Sequence, residues 1–272
     1  MNLRLIKSKL KNNFATIAEL QKVTKVFSNG ETVIKDLDLN IQKSDFLTLL
    51  GKSGCGKTTI LKILCGLLKP TKGKVVWPTS TFTNSEKNPA NLSVVFQDSN
   101  LLPWLNVFEN VLLPLKLSNI DLYESYERIN DCLKLVRLTN YKKYFPNHLS
   151  GGMKMRVAIA RALVTKPKVI LMDEPFAALD EITRFRLNND LLKIYRKYNL
   201  TIIFVTHSVY ESAYLSNKIA LISDKPASLH ETILLSSNQD RDDDYRLSSE
   251  YLENCKKISE KLSKYNKLNS YE

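Results

Sequence analysis

The feature that most restricts how this chain can fold is a glycine-rich segment at residues 51–58. It reads Gly-Lys-Ser-Gly-Cys-Gly-Lys-Thr and fits the pattern G-x-x-x-x-G-K-[ST]. A short apolar run at 45–50 precedes it, and a helical pattern over 57–68 follows. Because this pattern is meaningful only between a strand and a helix, the context supports it. The sequence therefore predicts an α/β unit whose loop turns its backbone N–H groups toward phosphate oxygens.

Within this loop, the side chain of Lys57 is placed to reach the β- and γ-phosphates, and the hydroxyl of Thr58 to bind Mg²⁺. Cys55 lies among positive groups, which predicts a reactive thiolate whose alkylation blocks activity and is prevented by bound MgATP. The residues expected to contact nucleotide here are Gly51, Lys52, Ser53, Gly54, Cys55, Gly56, Lys57, Thr58 and Thr59.

The rest of the chain alternates strand and helix patterns, which predicts a mainly parallel sheet with covering helices. Two stretches with alternating polar and apolar residues, 14–26 and 33–50, flank the turn signal Asn29-Gly30, so an antiparallel sheet is expected at the N-terminus. Residues 107–138 carry helical spacing, a polar segment at 79–91 is expected to be a loop, and helices are expected at 152–164, 183–198 and 209–215.

A second apolar run, 169–172, ends in Asp173 and Glu174. A buried parallel strand delivers such carboxylates to the sheet edge where ligands bind. Asp173 is suited to hold Mg²⁺, and Glu174 to polarise a water aimed at the γ-phosphate. Taken alone, Asp-Glu-Pro after a strand is equally consistent with a plain turn, but the upstream loop favours the catalytic interpretation.

Between these segments, Leu149-Ser-Gly-Gly152 precedes a helical stretch. Ser150, Gly151 and Gly152 leave backbone donors free at the helix start, which is typical of a second anion-binding turn. A simple helix cap explains the same residues in isolation. Their position just before the acidic strand favours the anion site.

These motifs, in this order, resemble those of the ATP-binding subunits of ABC transporters. Gly51 to Thr58 is similar to the Walker A loop of that family, 149–152 to its signature, and 169–174 to its Walker B strand with the catalytic glutamate. The resemblance implies that Gln97 is the Q-loop glutamine and a Mg²⁺ ligand, that Asp180 belongs to the D-loop, and that His207 is the switch histidine. It also implies that Phe27 stacks on adenine.

The resemblance implies a P-loop NTPase fold with a RecA-like parallel sheet, an N-terminal antiparallel subdomain and a helical subdomain at about 98–165 that carries the signature. The ATPase domain is expected to span 1–225, and 226–272 to form a short hairpin and a charged helical tail. The family completes each ATP site with the loop of one subunit and the signature of another. One copy of each per chain therefore implies a head-to-tail homodimer that holds two ATP molecules.

The string Leu101-Leu-Pro-Trp104 and the residues around His207 are similar to importer ATPases of the nitrate, sulfonate, taurine and thiamine-precursor group. That resemblance implies a separate membrane permease, fed by an extracytoplasmic solute-binding protein. Leu102 and Trp104 are the expected contacts with the permease. Val107, Val111 and Leu115 are expected to pack in the core.

Forty basic and 28 acidic side chains give a net charge of +12, which makes anionic partners plausible without choosing among them. One alternative is a soluble ABC-type ATPase that acts on nucleic acid or ribosomes, although its usual paired domains or coiled coil are missing, so no nucleic acid is expected. Another alternative is the ATPase of a lipid transporter or exporter. Scattered cysteines and the lack of a long apolar run predict a cytosolic chain that does not cross a bilayer. The resemblance implies that it sits peripherally at the cytoplasmic face of the inner or plasma membrane.

Overall fold

The computed structural model of the chain describes residues 15–78, 92–235 and 241–268. The segment expected to be a loop at 79–91 lies outside these residues. The strands are β1 Thr16–Val26, β2 Thr32–Gln42, β3 Phe46–Leu50, β4 Lys72–Val76, β5 Leu92–Val95, β6 Val169–Asp173, β7 Thr201–Thr206, β8 Lys218–Ile222 and β9 Leu229–Leu234. The helices are α1 Lys57–Leu64, α2 Val107–Leu117, α3 Leu122–Leu135, α4 Gly151–Leu163, α5 Glu181–Tyr198, α6 Val209–Leu215 and α7 Ser249–Leu268.

The larger sheet has the strand order β5-β6-β7-β3-β8-β9, and all neighbours are parallel except the β8-β9 pair. Every residue of β3, β6 and β7 is buried, because helices cover both faces of the sheet. This burial explains their continuous apolar runs. The mainly parallel sheet predicted from the sequence is confirmed, and the strands β3, β6 and β7 end together at one edge.

The smaller sheet is antiparallel, with the order β2-β1-β4. The turn between β1 and β2 is closed by hydrogen bonds between Phe27 and Glu31 and between Gly30 and Phe27, and Gly30 has a φ of +82°. Only glycine adopts such a conformation without strain. The N-terminal hairpin predicted from Asn29-Gly30 is therefore confirmed.

Two of the predicted helical stretches differ in extent from the structure. The pattern over 57–68 yields a helix that ends at Leu64, because Gly66 takes a left-handed conformation with a φ of +76° that closes the helix end. The pattern over 107–138 yields α2 and α3, separated at Asn119, which has a φ of +54°. The side chain of Asp121 then caps α3 by accepting hydrogen bonds from two backbone N–H groups.

The described residues after 225, which are 226–235 and 241–268, pack against the rest of the fold. Strand β9 pairs with β8, and α7 packs on α6. The rings of Tyr214, Tyr245 and Tyr251 form a buried cluster with centroid separations of 5.6 to 6.3 Å. Cys255 and Ile258 on α7 join the same hydrophobic core as the sheet. The boundary at 225 and the division of 226–272 into a hairpin and a charged helical tail remain predictions.

The segment that follows β5 is held against α4, because Arg161 donates hydrogen bonds to the backbone oxygens of Ser99 and Asn100. Val107, Val111 and Leu115 are buried in the core, as the sequence predicts.

Within the described ranges, no helix combines the length and apolar character that crossing a membrane requires.

Candidate functional site

The loop between β3 and α1 takes a shape that only its glycines allow. Gly54 and Gly56 have φ values of +78° and +114°, which other residues rarely adopt. A Cβ atom on Gly51 would lie 2.7 Å from the backbone oxygen of Ile222, and one on Gly56 would lie 3.0 Å from the Cβ of Ala227. The loop therefore packs closely against Ile222 and Ala227 on one side. On its other side, the backbone can turn around a ligand.

Lys57 is held inside this loop. Its Nζ donates hydrogen bonds to the backbone oxygens of Gly51 at 2.8 Å and Lys52 at 2.7 Å, and it lies 3.9 Å from Oε1 of Glu174. The side chain is 3% exposed. A buried ammonium group at this position is ready to neutralise negative charge on a phosphate group that enters the loop.

Thr58 and Asp173 meet at the end of the sheet. The hydroxyl of Thr58 donates a 2.9 Å hydrogen bond to Oδ1 of Asp173. Burial raises the pKa of Asp173, while the hydrogen bond from Thr58 lowers it. A hydroxyl and a carboxylate oxygen are the hard ligands that Mg²⁺ prefers. These two groups fit a magnesium ion bound next to the loop.

Glu174 and His207 face each other at the ends of β6 and β7. Nδ1 of His207 lies 3.1 Å from Oε2 of Glu174. Glu174 has a φ of +43°, and its backbone N–H donates to the oxygen of Val205. A non-glycine residue in this region is strained, and such strain is often found at functional sites. The carboxylate is thus fixed next to Lys57, where it can accept a proton from a water molecule.

The expectation of a reactive thiolate at Cys55 is wrong. The side chain is 2% exposed, and burial raises the pKa of its thiol more than the nearby charge of Lys57 lowers it. Sequence spacing indicated the positive neighbour correctly but could not show that the thiol points into the protein, against Gly51.

Gln97 and Phe27 each follow a strand, and both side chains are exposed. Gln97 is exposed and follows β5, whose register with β6 pairs Val95 with Met172. It therefore leaves the sheet next to the acidic pair. Phe27 follows β1 and is 39% exposed, with the Nζ of Lys25 5.4 Å from its ring centroid.

The signature residues lie at the start of α4 and pack against Leu179 and Thr183. Ser150 caps α4 by accepting a hydrogen bond from the N–H of Met153. Gly152 is packed so closely that a Cβ atom would lie 2.6 Å from Cγ2 of Thr183. Asp180 caps α5 through the N–H of Thr183. Among the residues that the structure describes, no hydrogen bond or ion pair joins 150–152 or Asp180 to the loop 51–59 of the same chain.

Sequence reasoning missed two residues, of which Asp224 supports the glycine-rich loop and Asn110 supports the segment before α2. Lys52 forms a 2.6 Å ion pair with Asp224. The side chain of Asn110, which is fully buried, donates to the backbone oxygen of Leu105 at 2.8 Å and accepts from the N–H of Leu102 at 2.9 Å. A polar residue inside the apolar pattern of α2 was the available signal for Asn110. Nothing in the sequence indicated Asp224.

The parallel sheet, the lysine-bearing loop and the acidic pair at one edge define a P-loop nucleoside-triphosphatase. The sequence profile of the ABC transporter family matches residues 34–177. The chain belongs to this family, as an ATP-binding, ATP-hydrolysing subunit.

Proteins of known sequence agree with this assignment. The chain is 43% identical over 244 residues to an uncharacterized ABC transporter ATP-binding protein, MJ0412, of Methanocaldococcus jannaschii, covering 88% of this chain and 89% of that protein. It is 40% identical over 217 residues to the aliphatic sulfonates import ATP-binding protein SsuB of Bacillus cereus, covering 79% of this chain and 84% of that protein.

Solved structures show the same fold. The ATP-binding cassette MJ0796, dimeric and bound to ADP and Pi, matches with a TM-score of 0.70 and 32% identity over 81% of this chain and 99% of that chain. CbiO1 of Clostridium perfringens, part of the ABC transporter complex cbiONQ, matches with a TM-score of 0.72 and 26% identity, covering 80% of this chain and 88% of that chain.

Proposed function

We propose that this chain is the motor subunit of an ABC importer, which couples MgATP binding and hydrolysis in a head-to-tail dimer to uptake of a small solute of the nitrate, sulfonate or taurine type. The observation that carries this proposal is the convergence of Lys57, Thr58, Asp173, Glu174 and His207 at one edge of the parallel sheet.

The chemistry of hydrolysis follows from these positions. Mg²⁺ held by Thr58 and Asp173, with Gln97 completing the site, would neutralise charge on the phosphates. Lys57 adds a buried positive charge. Glu174 orients and deprotonates the attacking water. His207 is hydrogen-bonded to Glu174, so it holds that carboxylate in place and senses the loss of the γ-phosphate.

The remaining contacts with nucleotide come from the backbone and two hydroxyl side chains of the loop and from one aromatic ring. The N–H groups of 51–56, with the side chains of Ser53 and Thr59, surround the phosphates. The exposed ring of Phe27 stacks on the adenine base.

We infer the head-to-tail dimer from the exposure of the signature residues. Ser150 and Gly151 are exposed and are not bonded to the loop 51–59, so they are available to the ATP held by another copy. Asp180 is exposed next to them. The dimeric state of the similar cassette MJ0796, bound to ADP and Pi, supports this arrangement.

The permease contact is assigned to the loop before α2. Trp104 is 70% exposed, although Asn110 holds the backbone of that loop at Leu102, Leu105 and Asn106. A rigid loop with an exposed indole is a good contact point, because little conformational entropy is lost on binding. Docking there places the chain at the cytoplasmic face of the membrane, opposite the extracytoplasmic solute-binding protein. The similarity to a sulfonate import ATPase supports this partner.

The ATPase and dimer proposals are tested with purified protein and MgATP. We expect turnover that falls by about a hundredfold or more in Lys57→Ala and in Glu174→Gln. The Glu174→Gln variant should form a dimer with ATP in sedimentation experiments. A persistent monomer over a wide concentration range would contradict the dimer, and unchanged turnover in both variants would contradict the assigned site.

Import is tested in cells that carry a deletion of the gene. Uptake of a radiolabelled alkanesulfonate should be restored by the wild-type chain and not by Glu174→Gln. A Trp104→Ala variant should hydrolyse ATP as an isolated protein but restore less uptake. Restored uptake by Glu174→Gln would contradict an ATP-driven role, and salt-sensitive DNA binding without uptake would favour a nucleic-acid ATPase instead.

A further inference from the structure

A buried carboxylate outside the nucleotide site lies behind His207. Glu211 on α6 is 7% exposed. Burial raises its pKa, and the hydrogen bond from Thr206 and the charges of Arg184 and His207 lower it. A buried acid of this kind is costly unless its oxygens have partners, so the contacts of Glu211 show what it holds in place.

One carboxylate oxygen closes the turn that carries His207. The hydroxyl of Thr206 donates to Oε2 of Glu211, the N–H of Ser208 donates to the hydroxyl of Thr206, and the N–H of Glu211 donates to the hydroxyl of Ser208. The residues on both sides of His207 are therefore fixed by one closed ring of hydrogen bonds. The imidazole itself is left outside the ring and points at Glu174.

The other carboxylate oxygen faces the segment that leads to Asp180. Oε1 of Glu211 is buried without a hydrogen-bond partner and lies 4.0 Å from Nε of Arg184 on α5. Arg184 donates hydrogen bonds to the backbone oxygens of Phe176 at 3.3 Å and Leu179 at 2.8 Å. These two residues lie between Glu174 and Asp180.

We propose that Glu211 is a positioning residue for ATP hydrolysis: through Thr206 it sets the orientation of His207, and through Arg184 it couples that turn to the segment 176–180. This inference rests on the function proposed above for His207 and Glu174. Glu211 touches neither nucleotide nor water in this role. It keeps the histidine and the dimer-facing segment in one rigid arrangement, because both contacts use the same buried carboxylate.

The test for the turn measures kcat and KM for ATP in single variants. Glu211→Gln keeps the shape of the side chain and removes its charge, and Thr206→Val removes the hydroxyl that closes the ring. Each should lower kcat about tenfold while KM for ATP changes by less than about threefold. Thr206→Ser keeps the hydroxyl that the ring requires, so its kcat should stay close to that of the wild-type protein. An unchanged kcat in Glu211→Gln would overturn the proposal.

A control variant and a double variant distinguish the positioning role of Glu211 from a merely structural one. Asp45→Asn removes another buried carboxylate, paired with Lys218 at the start of β3, and should leave kcat within about twofold. In a His207→Ala background, Thr206→Val should cause no further loss of kcat, because the ring acts through His207. Multiplied losses in the double variant, or an equal loss in Asp45→Asn, would overturn the proposal.

The link to Arg184 is tested separately by a double-mutant cycle. The losses of kcat in Arg184→Gln and Glu211→Gln should not multiply when the two substitutions are combined, because both remove one shared contact. Independent losses would overturn the coupling to 176–180. If wild-type protein hydrolysed no MgATP, the proposed function itself would fail, and that outcome is separate from these comparisons.

Discussion

The hydroxyl of Thr58 is 2.9 Å from Oδ1 of Asp173, and this hydrogen bond joins the first turn of α1 to the end of β6 across 115 residues of sequence. Helix α1 packs over β6 and β7, which brings the two oxygen atoms together. Groups that the fold holds in place lose less entropy when a ligand binds.

The first prediction concerns this pair. Thr58→Val removes the hydroxyl, so the affinity for ATP in the presence of Mg²⁺ should fall about tenfold. In EDTA the affinity should be unchanged. Isothermal titration calorimetry measures both, and Thr58→Ser, which keeps the hydroxyl, is the matched control. An equal loss in EDTA would show that Thr58 contacts the nucleotide rather than the metal.

A second prediction follows from the burial of Cys55. Its raised pKa means that the reactive thiolate is scarce at neutral pH and becomes more abundant as pH rises through and beyond the ordinary thiol range. Alkylation of native protein should therefore be slow at neutral pH and accelerate at alkaline pH. Once formed, the adduct should block ATP hydrolysis, and MgATP should slow its formation.

Mass spectrometry of the modified peptide measures this rate at Cys55, and Cys55→Ala is the control for inhibition. The other cysteines are buried as well, so unfolding in urea should make all of them reactive. Rapid modification of Cys55 in native protein at neutral pH would contradict the buried orientation.

The third prediction tests whether α7 belongs to the core. Ile258 is fully buried, whereas Leu252 on the same helix is 59% exposed. Ile258→Ala should lower the free energy of unfolding by about 2 to 5 kcal/mol. Leu252→Ala should lower it by less than about 0.5 kcal/mol. Urea denaturation gives both values, and equal effects would indicate that α7 is not packed as described.

A fourth prediction concerns the contact between α4 and α5. In Gly152→Ala, the added Cβ would lie 2.6 Å from Cγ2 of Thr183, so the variant should lose about 1 to 3 kcal/mol of stability. Thr183→Ser removes that methyl group and should restore most of the loss. Gly151→Ala is the control, since its Cβ would lie 3.4 Å from Leu179, an ordinary contact. Thermal unfolding measures all of these variants, and a failure of Thr183→Ser to rescue would contradict the packing.

Prediction from the sequence succeeded where a function is encoded by neighbouring residues. The loop 51–58 and the strand that ends at Asp173 were located because their motifs are short and continuous. The end of α1 was misplaced, because the apolar pattern continues past Leu64 while Gly66 already turns the chain. The thiol of Cys55 was misjudged, because the direction of a side chain depends on the packing behind the loop.

The sequence by itself determined the class of this protein, since the order of its motifs and the periodicity of its apolar residues are properties of the chain. Only the tertiary structure decided that Thr58 meets Asp173 and that His207 meets Glu174. It also decided that Glu211 lies against both Thr206, next to His207, and Arg184. These contacts join distant segments, and their distances are set by how the helices pack on the sheet, which no local pattern records.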